Sequence, residues 1–412
     1  MGLGAAIVLQ TIKLFSVRMG WRKTSMNPSH NRALAFALCV ITTSVNIQGP
    51  LYATYARNDG YGVLATTIAF SFYVLGVLPI LLALGGLSDR MGRRKVILMS
   101  LLLSAAATAL MLLYPHTWAL AGARFMLGVG TALMSATATV YMIELFGAAD
   151  TTRAANWVTA GTSIGFGLGP AMTSVCLLFQ PTLTPASSFV VLACCAVAWV
   201  GVWRLPETAP LQSGPASAML RLPYFNRRVA WHGGAIFLCW ATTGLILSII
   251  PAALAQHGLS HYAGLSSMLA ISCGLLFQPK ARTYPPQRAT QIGLLILLPS
   301  FALLAWGAWQ GILPVVLVAA LSASSSCYGF VYLGGLAGIA EAASQEKARA
   351  SAAFFLMAYL GFSVPVVFTG VLVDRYGVQS AFAVFGGFLL VGTIVLLLCP
   401  PRRSVQALAA TR

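Results

Sequence analysis

Arg124 is the residue whose type and setting most plainly call for chemistry. It stands in the apolar run Leu120-Ala121-Gly122-Ala123-Arg124-Phe125-Met126-Leu127-Gly128-Val129-Gly130-Thr131-Ala132. A guanidinium inside a membrane-crossing helix costs at least about 2.5 kcal/mol. Such a residue is functional or firmly paired, or it stretches its stem to the nearer interface. The other charges sharpen the point. All eight acids (Asp59, Asp89, Glu144, Asp150, Glu207, Glu341, Glu346 and Asp374) fall in loops or at the ends of apolar runs. A permanently cationic ligand would find no buried counter-ion among them. Neutral or anionic ligands fit better, with Arg124 as the anion's partner.

Polar tips near the middles of apolar runs mark a candidate cavity: Asn46, Gln48, Tyr73, Trp240, Thr243, Tyr328 and Tyr359. Aromatic faces with single polar atoms suit amphipathic organic molecules, although each residue alone also fits ordinary packing. His257 and His261 stand four apart with no acid or cysteine beside them, so no metal site is read there. The eight cysteines lie within or at the ends of apolar runs, without metal-ligand spacing, and read as small buried hydrophobes. Neither a phosphate-cradling loop with lysine nor a nucleophile or zinc motif is present, which argues against ATP-driven work, a cofactor or a catalytic residue.

The densest cluster of charge is the stretch Gly85-Gly86-Leu87-Ser88-Asp89-Arg90-Met91-Gly92-Arg93-Arg94-Lys95. Gly85 allows close backbone approach and Gly92 allows a left-handed turn. Asp89 is one acid among four bases. An anion there wants a positive partner, and the start of the apolar run near Ala350–Ala353 offers a helix dipole. Arg93 or Arg90 could pair with Glu144. Further on, Gly161, Gly165 and Gly169 repeat every four residues and end at Pro170, giving one flat helix stripe with a kink.

The elements that must position these residues are membrane helices. Of 412 residues, 58% are hydrophobic and 8% charged, against roughly 25% charge in soluble domains. Twelve spans are predicted at 34–56, 62–86, 96–114, 118–146, 155–179, 187–204, 229–255, 262–279, 290–308, 311–340, 350–373 and 380–399, most of them within or above the ~17–25 residues that cross a bilayer. With the N-terminus in the cytoplasm, 22 of the 25 basic residues fall on the cytoplasmic side. That asymmetry is the positive-inside rule. It assigns the net charge of +17 to lipid headgroups, not to nucleic acid.

The two halves echo each other. Glu144, Arg153 and Pro170 recur as Glu341, Arg349 and Pro365, at offsets of 195–197 residues. Duplication of a six-helix unit predicts an all-α membrane protein with two pseudo-symmetric bundles, 32–204 and 229–400, joined by a Pro-rich cytoplasmic linker at 205–228. Residues 1–31 read as a cytoplasmic extension and 401–412 as a cytoplasmic tail. The apolar stretch 2–17 is too short to span; residues 1–25 are an amphipathic surface segment, or the chain starts at Met26.

These motifs resemble those of the major facilitator superfamily. The 85–95 stretch resembles its G-x-L-x-D-R-x-G-R-K/R signature. The Arg124 run resembles R-x-x-Q-G-x-G-x-A, with Leu127 in place of the glutamine. The fifth span resembles the antiporter signature G-x-x-x-G-P-x-x-G-G, with Thr173-Ser174 in place of the last glycines. The resemblance implies that Gly85, Asp89, Arg90, Gly92, Arg93 and Glu144 form a cytoplasmic latch. It implies a part for Arg124 in proton transfer or anion binding, the first weakened by Leu127. The counterpart loop in the second half, Lys280 to Arg288, lacks the acid and the glycines, so the latch is expected to be one-sided.

The expectation is a monomeric inner-membrane secondary transporter that exports small organic molecules (drugs, metabolites or metal chelators) in exchange for protons. An importer or facilitator of a small metabolite or sugar is the alternative within transport. A membrane sensor or enzyme on the same scaffold is the alternative outside it, and would need a midplane cluster or an added soluble domain, neither of which is visible.

Overall fold

The computed structural model describes residues 28–83, 87–146, 150–208 and 222–401. Residues 1–27 with Met26, the pair Gly85-Gly86, the linker residues 209–221 and the tail from 402 lie outside the described residues. Among the described residues the chain is helical almost throughout and forms no strand. Helices satisfy their own backbone groups, which hydrocarbon requires of any lipid-exposed segment.

Ten runs each serve as one span: Ser29–Asn58, Val63–Ala83, Arg93–Leu113, Thr117–Phe146, Thr151–Phe179, Ala186–Trp203, Arg227–Ala255, Ser260–Ala281, Pro286–Gln310 and Leu313–Ala342. The last run, Lys347–Leu398, has 52 residues. At 1.5 Å per residue it is more than twice the ~30 Å of hydrocarbon. It is two helices meeting at Gly377, whose φ of 81° and ψ of 167° are not helical. Among the described residues the total is therefore twelve spans, as the sequence predicts, but the loop expected at 374–379 is reduced to a single glycine turn.

Several spans are interrupted. In span one the helix Pro28–Asn46 stops, a 3-10 turn covers Gly49–Leu51, and helix resumes at Tyr52. Pro50 lacks the N–H that would continue the ladder. Span seven breaks likewise between Ser248 and Ile250, ahead of Pro251. Span ten carries a π turn at Ser325–Val331.

Small residues set the packing. The glycine stripe of span five lies on span one. A Cβ at Gly161 would sit 3.1 Å from the Ala35 carbonyl oxygen, and one at Gly165 would overlap the Cys39 carbonyl and Thr42. One at Gly169 would overlap the Thr43 carbonyl. The same contact recurs in the second half, where Gly361 of span eleven faces the Phe237 carbonyl of span seven. Gly165 and Gly361 are 196 residues apart, matching the offset of the sequence repeat.

The halves meet at the end opposite the basic loops. Phe70 and Phe362 stack there with ring centroids 4.7 Å apart. Gly264 of span eight abuts the Pro170 carbonyl of span five, and its N–H donates to Ser174 Oγ at 2.9 Å. Toward the basic end the halves diverge around a cavity.

Candidate functional site

The cavity holds about 680 Å³ and runs from the membrane centre to the basic end. Asn46, Tyr73 and Arg124 line it from the first half, and Trp240, Tyr328 and Tyr359 from the second. Nearer the basic end its wall includes Ser88, Asp89 and Arg93 on one side and Ala348, Ser351 and Ala352 on the other.

Arg124 is fully buried. Close packing of Gly128 against Tyr73's backbone seats span four on span two. This puts the guanidinium carbon 4.7 Å from the Phe70 ring centroid and 4.6 Å from that of Tyr73. Span one supplies the acceptor. Because its helix ends at Asn46, the last carbonyls are free of the ladder and carry the negative end of the helix dipole. The Val45 carbonyl accepts from Arg124 Nη1 at 2.7 Å, and Asn46 Oδ1 at 3.5 Å. The Phe70 carbonyl accepts from Nε at 3.4 Å. Nη2 has no acceptor, and no carboxylate pairs with Arg124 among the described residues. A guanidinium held by carbonyls and ring faces instead of a carboxylate leaves room for an anionic or carbonyl partner beside it.

From Arg124 a chain of rings crosses to the other half. Tyr73 lies 6.3 Å from Tyr359, Tyr359 5.1 Å from Trp240, and Trp240 6.2 Å from Tyr328. Trp240 Nε1 is a buried donor without an acceptor. Tyr328 sits in the π turn, a distortion common at functional sites. Two residues read as cavity lining are elsewhere. Thr243 is buried behind the lining, where its hydroxyl donates to the Cys239 carbonyl at 3.2 Å and also meets the Tyr328 hydroxyl. Gln48 is buried just past the break in span one, outside the lining, with neither amide atom bonded. Phe355 and Phe362 line the cavity and the sequence reading passed them over. With Tyr359 they recur at i, i+4 and i+7, a helical periodicity that marks one face.

At the basic end the charged residues form a network within the first half. Arg93 pairs with Asp89 at 2.5 Å and with Glu144 at 3.3 Å. Its Nη1 also donates to Ser88 Oγ at 2.6 Å. Of the two arginines considered for Glu144, Arg93 makes the contact, while Arg90 is exposed. Two partners were not foreseen. Thr208 donates its hydroxyl to Glu144. Glu207 accepts from the backbone N–H of Arg93 at 2.6 Å and of Arg94 at 3.2 Å, capping span three. Gly92, with φ of 93°, makes the turn that exposes those donors, and a Cβ there would meet the Glu207 carboxylate at 2.5 Å. Asp89 is half exposed and shares the cavity wall with the first turn of span eleven.

A model of the Major Facilitator Superfamily matches residues 34–364. The multidrug transporter MdfA of Yersinia pestis is 28% identical over 207 residues, 46% of this chain and 48% of its own length. The chloramphenicol resistance protein CraA of Acinetobacter baumannii is 30% identical over 153 residues, 36% of each chain. The chain thus spans half or less of the length of these curated relatives. The crystal structure of the D323A mutant of the nucleoside transporter NupG superposes with a TM-score of 0.76 at 15% identity, over 90% of this chain and 98% of the other. The human organic anion transporter MFSD10 (TETRAN) superposes with a TM-score of 0.62 at 16% identity, over 90% and 100%. At such identity these likenesses show the fold alone.

Proposed function

The chain belongs to the Major Facilitator Superfamily, and from that premise we propose that it exports small organic molecules, neutral or anionic, across the inner membrane in exchange for protons. The observation that carries this reading is the buried guanidinium of Arg124, without a carboxylate partner among the described residues, beside an aromatic cavity that both halves line. Rings offer area to an apolar body, while the cation offers a partner to a carboxylate, phenolate or carbonyl. Likeness to a multidrug transporter and a chloramphenicol resistance protein supports export.

On this reading the basic end faces the cytoplasm and both termini lie there. The segments 32–204 and 229–400 rock as units about the cavity, joined by the linker 205–228. The glycine stripe Gly161, Gly165 and Gly169 with Pro170 is the rigid seam between spans five and one. The protein acts as a monomer in the bilayer. With no acid at the membrane centre, the proton acts at the gate, on Asp89 or Glu144. Neutralising Asp89 would remove a charge–dipole attraction of roughly 0.3–1 kcal/mol, up to ~2 when partly buried. A shift of ~1.4 kcal/mol changes a two-state population tenfold.

Cells expressing the protein should hold less of at least one neutral or anionic toxic compound from a broad panel than cells lacking it. An uncoupler should erase the difference. Efflux that ignores the uncoupler and never exceeds equilibration would leave a facilitator in place of an antiporter.

A further inference from the structure

The pattern G-x-L-x-D-R-x-G occurs twice. One copy is Gly85, Leu87, Asp89, Arg90 and Gly92; the other is Gly370, Leu372, Asp374, Arg375 and Gly377. They are 285 residues apart, so the half-chain repeat at 195–197 does not relate them. That repeat pairs the loop after span two with the loop after span eight, whereas the second copy follows span eleven. The copies therefore close opposite ends of the molecule. Their last glycines share a backbone conformation closed to side chains: φ 93° and ψ 146° at Gly92, φ 81° and ψ 167° at Gly377.

The second copy is engaged. Asp374 accepts from the backbone N–H of Val63 at 2.8 Å and of Leu64 at 2.9 Å. These are first-turn donors of span two, in the other half, which the helix itself cannot satisfy. The fit is made for a carboxylate, because a Cβ at Gly62 would collide with it. Gly370, one turn earlier, packs on Leu64 and Thr67 of span two. The first copy has instead turned inward on its own half. Asp89 is bound to Arg93 at 2.5 Å, and its side chain is 52% exposed in the open cavity. The first turn of span eleven, at Ala348, Ser351 and Ala352, lines that same opening.

Spans two and eleven run antiparallel, so each ends in one copy of the pattern and begins, at the opposite end, with N–H donors that its own helix cannot satisfy. We propose that the two copies are alternate latches of one switch. Asp374 clamps the first turn of span two while the basic end is open. Asp89 clamps the first turn of span eleven when the basic end is closed, and the two clamps exclude each other. The counterpart loop after span eight, Lys280 to Arg288, has no acid; the acid of the second copy stands after span eleven, at the other end. The inference rests on alternating access, but not on the substrate or the proton.

The test measures populations without substrate. Spin labels on a ketone-bearing amino acid at Tyr114 and Gln379, both exposed and in different halves, report the separation across the clamped end and leave the native cysteines in place. Losing an N-cap costs typically ~1 kcal/mol, so Asp374→Ala should raise the ratio of long to short distances about fivefold. Gly62→Ala attacks the same contact from the other half. It should shift the ratio in the same direction and add little to Asp374→Ala. Asp89→Ala should lower the ratio. An unchanged ratio in both Asp374→Ala and Gly62→Ala, or a rise in Asp89→Ala, overturns the proposal. Either result leaves the transport reading intact, because that reading fails only on efflux.

Discussion

Arg124→Ala is expected to lower transport of anionic substrates at least tenfold, with the protein still present in the membrane. Two effects add. The substrate loses a charge-assisted partner, worth roughly 1.5–3 kcal/mol. The Val45 and Phe70 carbonyls also lose their donors, which loosens the junction of spans one, two and four. Arg124→Lys separates the two effects. An ammonium keeps the charge but loses the planar fork that reaches Val45, Asn46 and Phe70 together. It should retain partial activity toward anions. Initial rates in inside-out vesicles, normalised to folded protein, give the comparison. Equal loss in both variants for neutral and anionic substrates alike would reduce Arg124 to a structural strut.

Gly165→Ala is expected to destabilise the fold more than Gly161→Ala on the same stripe. The added Cβ would overlap both the Cys39 carbonyl and the Thr42 hydroxyl, and backbone cannot step aside as a side-chain tip can. Overpacking of this kind costs about 1–3 kcal/mol. At the two to four degrees per kcal/mol of mid-sized domains, the melting temperature in detergent should fall by roughly 5 °C. Gly161→Ala is the graded comparison, with its nearest neighbour at 3.1 Å, and should cost less. Gly122→Ala meets only Leu110 Cδ2 at 3.6 Å and should be neutral. A melting temperature unchanged by Gly165→Ala would show that spans one and five are not held at this distance.

How far the sequence carries the account depends on the range of each interaction. The spans are legible because an apolar stretch of fixed length is a one-dimensional property, and the basic loops mark its two sides. The glycine stripe on span five is legible because a period of four defines a face, though not its partner; span one is the partner through backbone contacts at Ala35, Cys39 and Thr43. Arg124 stands out as a charge in an apolar run. What holds it does not, because Val45 becomes an acceptor only where span one breaks before Pro50. Thr243 and Gln48 were read as lining from depth alone, and depth does not say which way a side chain turns. Glu207 and Thr208 were invisible as partners of this network because they follow span six and fold back, Glu207 on Arg93 and Arg94 more than a hundred residues earlier and Thr208 on Glu144 at the end of span four. The pattern at Gly370 to Gly377 was in plain view. It falls off the half-chain offset, and only the fold brings Asp374 to the first turn of span two.

The most direct test of proton-coupled export is made with purified protein in liposomes of defined orientation, loaded at the pH that imposes an inward-directed proton gradient on the transport cycle. The substrate is an anionic or neutral compound found in the cell panel. The account predicts accumulation of substrate above its equilibrium level on the side from which protons flow. Dissipating the gradient should return it to equilibrium, and for an anionic compound Arg124→Ala should slow the rise at least tenfold. Movement that stops at equal concentrations with the gradient intact would contradict proton-coupled export.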